Sequence, residues 1–203
     1  MCSSDLTTAI FNGVIKDVLG AGSSTTGLTV ANNATGVQVL TGANTYTGAT
    51  TVTTGSLQLG NNGTAGSLGA TAIALGASGT LTYARSDAAT LGSVTSVTGA
   101  GTIAVTNGGT LDTGTTNGVY NTTGALNLGL TAGATALGNL NVNANATFGS
   151  LTAQTSSASA DTVTIAAGKT LTVAGNVTVG FDPSSTATTV LAIGGGEIGR
   201  AHV

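Results

Sequence analysis

Apolar residues in this chain come in short alternating runs separated by glycine or asparagine. "LTV" at 28–30, "VQVL" at 37–40, "LQL" at 57–59, "IAL" at 73–75, "LTY" at 81–83 and "IAV" at 103–105 set the style. "LNL" at 126–128, "LNV" at 140–142, "VTI" at 163–165, "LTV" at 171–173 and "VTV" at 177–179 continue it. A period of two puts the outer residues of each run on one face of an extended strand and the middle Thr, Gln, Ala or Asn on the other. No stripe with helical i, i+3, i+4, i+7 spacing occurs. The punctuating "GNNG" at 60–63, "NGG" at 107–109 and "AGN" at 174–176 read as tight corners, because Gly and Asn tolerate positive φ.

Strands this short do not suit a sandwich, whose strands run to about five or six residues. They suit a solenoid, in which each short strand pairs with the one directly above it at about 4.8 Å and inward Val, Ile and Leu stack in ladders. "GTLTYARSD" at 79–87, "GTIAVTNGG" at 101–109 and "GKTLTVAGN" at 168–176 share a loose repeat of Gly, then Thr or Lys-Thr, then an apolar alternation. Coils of roughly twenty to thirty residues give about seven to eight rungs, about 35 Å in all. The expected fold is therefore all-β, a right-handed parallel β-helix, as a fragment without caps. An irregular β-sandwich and an unfolded Thr/Ser/Gly tract are the alternatives; the steady supply of apolar triplets weakens the second.

Composition narrows the function classes. Of 203 residues, 40% are apolar, 3% aromatic and 5% charged, and the net charge is −3. Threonine alone makes up roughly a fifth of the chain, far above ordinary usage. Charge-driven disorder is excluded, and the weak net charge argues against binding to nucleic acid or anionic membranes, which needs clustered Lys and Arg. No apolar run is long enough for a spanning helix, and three Tyr and three Phe cannot supply the girdles of a membrane barrel.

The two ends read as foreign. Glu197-Ile-Gly-Arg-Ala201 and Cys2-Ser-Ser-Asp-Leu6 can be encoded by strings that are reverse complements over about fourteen bases and resemble a common short-read sequencing adapter. Residues 1–6 and 197–203 are therefore expected to be sequencing scars flanking a β-helix segment at 7–196. On this reading the single Cys (Cys2), the single His (His202) and Arg200 are not native, and Met1 is not a genuine start.

One stretch carries a family resemblance. Leu40-Thr-Gly-Ala-Asn-Thr-Tyr-Thr-Gly48, followed by Thr50-Thr51-Val52 and Gly55-Ser-Leu57, resembles the autotransporter-associated β-strand repeat of bacterial passenger domains. "FNGVIKD" at 11–17 is similar to the family's Gly-Val-Ile element, and "LTYARSDAATLGSVTSVTGAGTI" at 81–103 to its strand-turn-strand continuation. The resemblance covers about Phe11 to Gly114; beyond that only the glycine-alternation style persists. "NVTVGFDPSSTATTVLAIGG" at 176–195 faintly resembles the segment where such passengers approach their membrane barrel, with Pro183 fitting a loop that breaks the coil. The resemblance implies an extracellular, cell-surface location through a C-terminal barrel absent from this chain. It also implies a structural or adhesive stalk or display scaffold, with a host or cell-surface glycan or protein as partner. A passenger that crosses a membrane unfolded does better without disulfides, and no native cysteine pair is present. Rung-by-rung folding needs only nearest-neighbour contacts.

Chemistry-bearing residues are sparse. The natural-looking charges are Lys16, Asp17, Arg85, Asp87, Asp112, Asp161, Lys169 and Asp182. A polysaccharide-acting β-helix enzyme would need paired carboxylates, but these are solitary. Asp112 in "GGTLDTG" has the Asp-Thr-Gly of an aspartic protease only as a single copy, and reads as a turn. The serines of "TSSASAD" at 155–161 have no native histidine partner. No calcium nonapeptide occurs, and neither "GAGTIA" at 99–104 nor "GGG" at 194–196 opens a helix as a phosphate loop would. We therefore expect no catalytic, cofactor-binding or metal-ligating residues and no enzyme. Candidate surface contacts are Tyr46 and Tyr83, for stacking on sugar rings, and Arg85 with Asp87, as an exposed ion pair or anion contact. Threonine units at 45–47, 51–53 and 162–164 raise ice binding as a minor alternative, but their spacing is irregular. Two uncapped ends predict end-to-end self-association.

Overall fold

The computed structural model describes residues 8–17, 24–91, 93–129, 138–155, 161–181, 192–194 and 197–200. Among these residues the regular structure is all β, and the strands pair in parallel as a solenoid. One face stacks Thr8–Phe11, Val37–Leu40, Thr102–Val105, Ala125–Leu128, Ser150–Thr155 and Val177–Phe181. A second stacks Leu28–Ala31, Ser96–Gly99, Tyr120–Thr122, Ala146–Phe148, Thr170–Val173 and Glu197–Arg200. Two long strands, Thr50–Gly63 and Ala72–Arg85, turn the corner between these faces, with the first half on the second face and the last half on the first. A third face holds Ala88–Thr90, Gly109–Asp112, Gly138–Val142, Thr162–Ile165 and Ala192–Gly194.

Every alternating run quoted above lies within one of these strands. The side-chain hydrogen bonds of Thr54 to Asn32 O and of Ser56 to Thr82 join residues 22 and 26 apart in neighbouring turns, within the expected coil length. The solenoid makes about six turns, slightly fewer than the seven to eight expected. "IAL" 73–75 and "LTY" 81–83 belong to one fourteen-residue strand. In such a strand the backbone stays extended round the corner, absorbing the bend as a register shift between Val52 and Thr54. The stretch 197–200, read as foreign, continues the second face by pairing with Thr170–Val173. Cys2, Asp182, Pro183 and His202 lie outside the described residues, as do residues 156–160 of the serine cluster.

Strands of the third face begin only at Ala88. Earlier turns close that side with stacked loops, 12–17 on 41–47 on 64–69. Thr41 N–H donates to Phe11 O, Thr45 N–H to Ile15 O and Ser67 N–H to Gly42 O, at 2.9–3.1 Å. Asn44 ties all three layers: its Oδ1 accepts from Ile15 N–H at 2.8 Å, and its Nδ2 donates to Ser67 O at 2.7 Å. A buried amide with both ends satisfied replaces the ladder that strands would provide.

The core is a set of columns. Leu57, Leu81, Ile103, Leu126 and Leu151 occupy equivalent positions in successive turns of the first face, each at most 1% exposed. On the third face Leu111, Leu140 and Val163 do the same. Each buried aliphatic side chain contributes about 1.5–3 kcal/mol of burial free energy. The intervening outward positions are mostly Thr, Ser, Asn and Gln, whose hydroxyls and amides bond within and between turns, as Ser56 does with Thr82 at 3.0 Å. Threonine supplies strand propensity on this surface with almost no charge.

Where the second face bends into the first, backbones of successive turns touch. A Cβ on Gly124 would lie 1.8 Å from Gly101 O, and one on Gly149 would lie 1.9 Å from Thr123 O. Gly149 N–H donates to Gly124 O at 2.8 Å, and Gly175 N–H to Gly149 O at 2.7 Å. Only glycine fits such an approach.

Candidate functional site

Tyr46 and Tyr83, the expected sugar-stacking aromatics, are core residues at 0% and 2% exposure, so neither offers a ring face to a ligand. The reason for Tyr46 is the period-two burial of Gly42, Asn44 and Tyr46 in the loop 41–47, which drives the ring inward. Its hydroxyl is 2.7 Å from Thr50 Oγ1, which is 3.0 Å from Thr71 Oγ1, and Thr71 donates to Gly48 O at 2.8 Å. With Thr71 donating to Gly48 O, Thr50 can donate to Thr71 and Tyr46 to Thr50, so each of these three hydroxyls has a partner. Burial pushes the Tyr46 phenol above its ordinary pKa, and the Thr50 contact partly offsets this. Tyr83 is inward because it continues the column of Leu59 and Val105.

Arg85 and Asp87 do pair, but as a half-buried clamp rather than an exposed contact. Arg85 Nε donates to Asp87 Oδ1 at 2.8 Å and Nη2 to Oδ2 at 2.7 Å, while Nη1 donates to Gly66 O at 2.6 Å in the neighbouring turn. The Arg85 side chain is 12% exposed. All three guanidinium nitrogens are thus committed within the protein, leaving a poor anion receptor. The bond to Arg85 holds the Asp87 carboxyl below the usual aspartate range, and the reciprocal bond raises Arg85. Exposure of these four residues cannot be read from their spacing, since it depends on which face each turn presents.

The described carboxylates do separate jobs. Asp17 accepts from Thr26 N–H at 2.7 Å, Thr47 N–H at 3.1 Å and Thr47 Oγ1 at 2.6 Å; the Thr26 bond foremost lowers its pKa. Asp161 is fully buried, with Oδ1 accepting from Gly138 N–H at 2.9 Å. Asp112 Oδ1 accepts from Gly114 N–H at 2.7 Å, the Asx turn expected of its Asp-Thr-Gly. Its Oδ2 accepts from Asn143 Nδ2 at 2.8 Å in the next turn. Among the described residues no group of three or more His, Cys, Asp or Glu converges as metal ligands would.

Asp112 also borders a feature absent from the sequence reading, an open cleft of about 520 Å³ where the third face bends toward the second. One wall is Ser93, Val94 and Thr95; the other is the loop 113–119 of the following turn. The loop is held at its root by Thr113, whose Oγ1 accepts from Ala144 N–H at 2.9 Å and donates to Ala144 O at 3.1 Å. It bends outward on Gly114 and Gly118, at φ 72° and 78°. Leu91, Val119 and Tyr120 form the inner lining. Tyr120 is 3% exposed, its ring 6.1 Å from Phe148, and burial pushes its hydroxyl well above the usual tyrosine range, with Tyr83 and Asp112 adding to the shift. That hydroxyl makes no hydrogen bond among the described residues. The available signal was the stretch "TGTTNG" at 113–118, too long and too rich in glycine and threonine for a simple corner.

The geometry defines a parallel β-solenoid with a walled cleft at a corner. No family model matches the chain, and neither a curated protein nor a solved structure is significantly similar to it.

Proposed function

We propose that the chain is a structural segment of a surface-displayed bacterial protein of the autotransporter-passenger kind, acting as a stalk or display scaffold. The observation that carries this reading is the continuous pairing of both long faces, from Thr8–Phe11 to Val177–Phe181 on the first and from Leu28–Ala31 to Thr170–Val173 on the second. Such a stack transmits load through backbone hydrogen bonds, and every turn is stabilised chiefly by its two neighbours. The resemblance of Leu40–Leu57 supports a cell-surface location reached through a C-terminal barrel. In the fold that stretch forms the Asn44-tied loop and the corner-turning strand.

The test is export. Placed between a signal peptide and a C-terminal outer-membrane barrel, the chain should reach the surface of a Gram-negative host and resist added protease. Periplasmic retention, or rapid surface degradation, would defeat the reading. A second reading, a polysaccharide-acting enzyme, has Asp112 beside the cleft in its favour. It predicts cleavage of a pectic or neutral polysaccharide that Asp112→Asn abolishes. On the scaffold reading no polymer is shortened.

A further inference from the structure

We propose that the corner cleft binds a neutral sugar, one ring lying on Val94 and Val119 with its hydroxyls between Tyr120 and Asp112. The volume of about 520 Å³ falls within the range of small-ligand sites. The lining decides the chemistry. Val94 and Val119 are half-buried and present apolar surface to the cleft, with Leu91 and Tyr120 packed behind them, so the floor favours the C–H face of a pyranose. Tyr120 lines the cleft and brings a hydroxyl with no hydrogen bond among the described residues, free to donate to a ligand. Asp112 brings a carboxylate fixed by Gly114 N–H and Asn143 Nδ2, with lone pairs left over for a donor. Donor and acceptor therefore flank one apolar floor, as a polyhydroxylated ring requires.

Other ligand classes fit worse. No Lys or Arg lines the cleft, so an anionic sugar or phosphate would meet only the Asp112 charge. A divalent cation needs six or more oxygens, mostly carboxylate or carbonyl, and the lining offers one carboxylate. The outer hydroxyls of Ser93, Thr95, Thr115 and Thr116 suit a neutral rim. A stalk needs no ligand, so loss of binding here would leave the scaffold role standing.

Calorimetry and ligand-observed NMR on the full chain test the site, with cellotriose, mannotriose and galactotriose as neutral probes and trigalacturonate and Ca²⁺ as controls. At least one neutral trisaccharide should bind in the range of about 10 mM or tighter, and Tyr120→Phe and Asp112→Asn should each weaken it about tenfold. Thr147→Val, on the outer surface of the second face, should leave binding unchanged. Tyr120→Phe keeps the ring against Phe148 and should melt no lower than the parent chain, since the lost hydroxyl makes no internal hydrogen bond. The assignment is overturned if no neutral sugar binds, if trigalacturonate or Ca²⁺ binds more tightly, or if neither substitution weakens binding. A lower melting point for Tyr120→Phe would overturn it too, by showing that the hydroxyl is already partnered inside the protein.

Discussion

Gly124 and Gly101 meet so closely that a methyl group on Gly124 would lie 1.8 Å from the Gly101 carbonyl oxygen. The neighbour is backbone, held in the stack, and cannot swing aside. Gly124→Ala should therefore destabilise the chain by about 3 kcal/mol or more. Gly168 is a control for conformational preference alone, since its φ is +71° with nothing within 4 Å. Gly168→Ala should cost only about 1 kcal/mol. Urea unfolding of both variants decides the point; equal costs would mean that the corner relaxes.

Hydroxyl groups inside the stack should respond with opposite signs. Tyr46→Phe removes the first member of the chain through Thr50 and Thr71 and should cost about 1 kcal/mol. Thr71→Val also leaves Gly48 O without its side-chain donor and should cost more, about 2–3 kcal/mol. Thr122 Oγ1, by contrast, is buried with no hydrogen-bond partner. Thr122→Val keeps the shape and should stabilise by about 1 kcal/mol. Thermal melts of the three variants would show the ordering.

Acid should weaken the clamp in a defined window. Arg85 depresses the folded-state pKa of Asp87, so the unfolded chain takes up its proton first as pH falls. The stabilisation is fully present above the ordinary aspartate value of 3.8 and is lost as pH drops through the lower folded value. Asp87→Asn should thus cost about 1 kcal/mol near neutral pH, with the difference from the parent shrinking below pH 3.8. Asp17 is depressed in the same direction, so the variant keeps part of the acid slope. Arg85→Lys should lose most of the effect, because an ammonium cannot make the forked contact. A difference between Asp87→Asn and parent that does not vary between pH 7 and pH 2.5 would contradict this linkage.

The chain should also associate with itself in a direction-dependent way. Among the described residues, Thr8–Phe11 is paired on one side only, by Val37–Leu40, and Val177–Phe181 on one side only, by Ser150–Thr155. Both lie at opposite ends of the same face, and Ile10, Val14, Val177 and Val179 are each about half exposed. Such edges are complementary but do not close, the arrangement that gives open assemblies. Light scattering should show mass rising with concentration, and Ile10→Lys should lower it. A sharp monomer at high concentration would exclude head-to-tail stacking.

Much of the fold was legible because the solenoid repeats one local rule. Leu57, Leu81, Ile103 and Leu126 are inward simply because each sits at the end of an alternating triplet. What periodicity could not supply is the relation between turns. Tyr46 looks like an exposed aromatic in a threonine-rich stretch, yet its hydroxyl is satisfied by Thr50, four residues on, and through it by Thr71 in the following turn. Arg85 looks exposed beside Asp87, yet its third nitrogen reaches Gly66 across a turn boundary. The cleft was hidden for the same reason. Asp112 reads as a turn residue, and is one, but its second oxygen is held by Asn143, and the walls of the cleft come from consecutive turns.

The two kinds of corner leave the molecule with one edge that can be rewritten and one that cannot. At Gly101, Gly124 and Gly149 the chain has no room for even a methyl group, so inserted or enlarged residues there would split the stack. At the opposite edge the connections differ from turn to turn; the loop 113–119 is pinned at its root by Thr113 and tied to Asn145 of the next turn through Asn117 and Gly118, yet a Cβ on Gly114 or Gly118 would meet nothing within 4 Å. Sequence drift, or deliberate grafting of foreign peptides, should therefore accumulate along that single edge. A row of evenly spaced, interchangeable loops on a rigid rod is a natural format for varying what is presented without altering what holds it up.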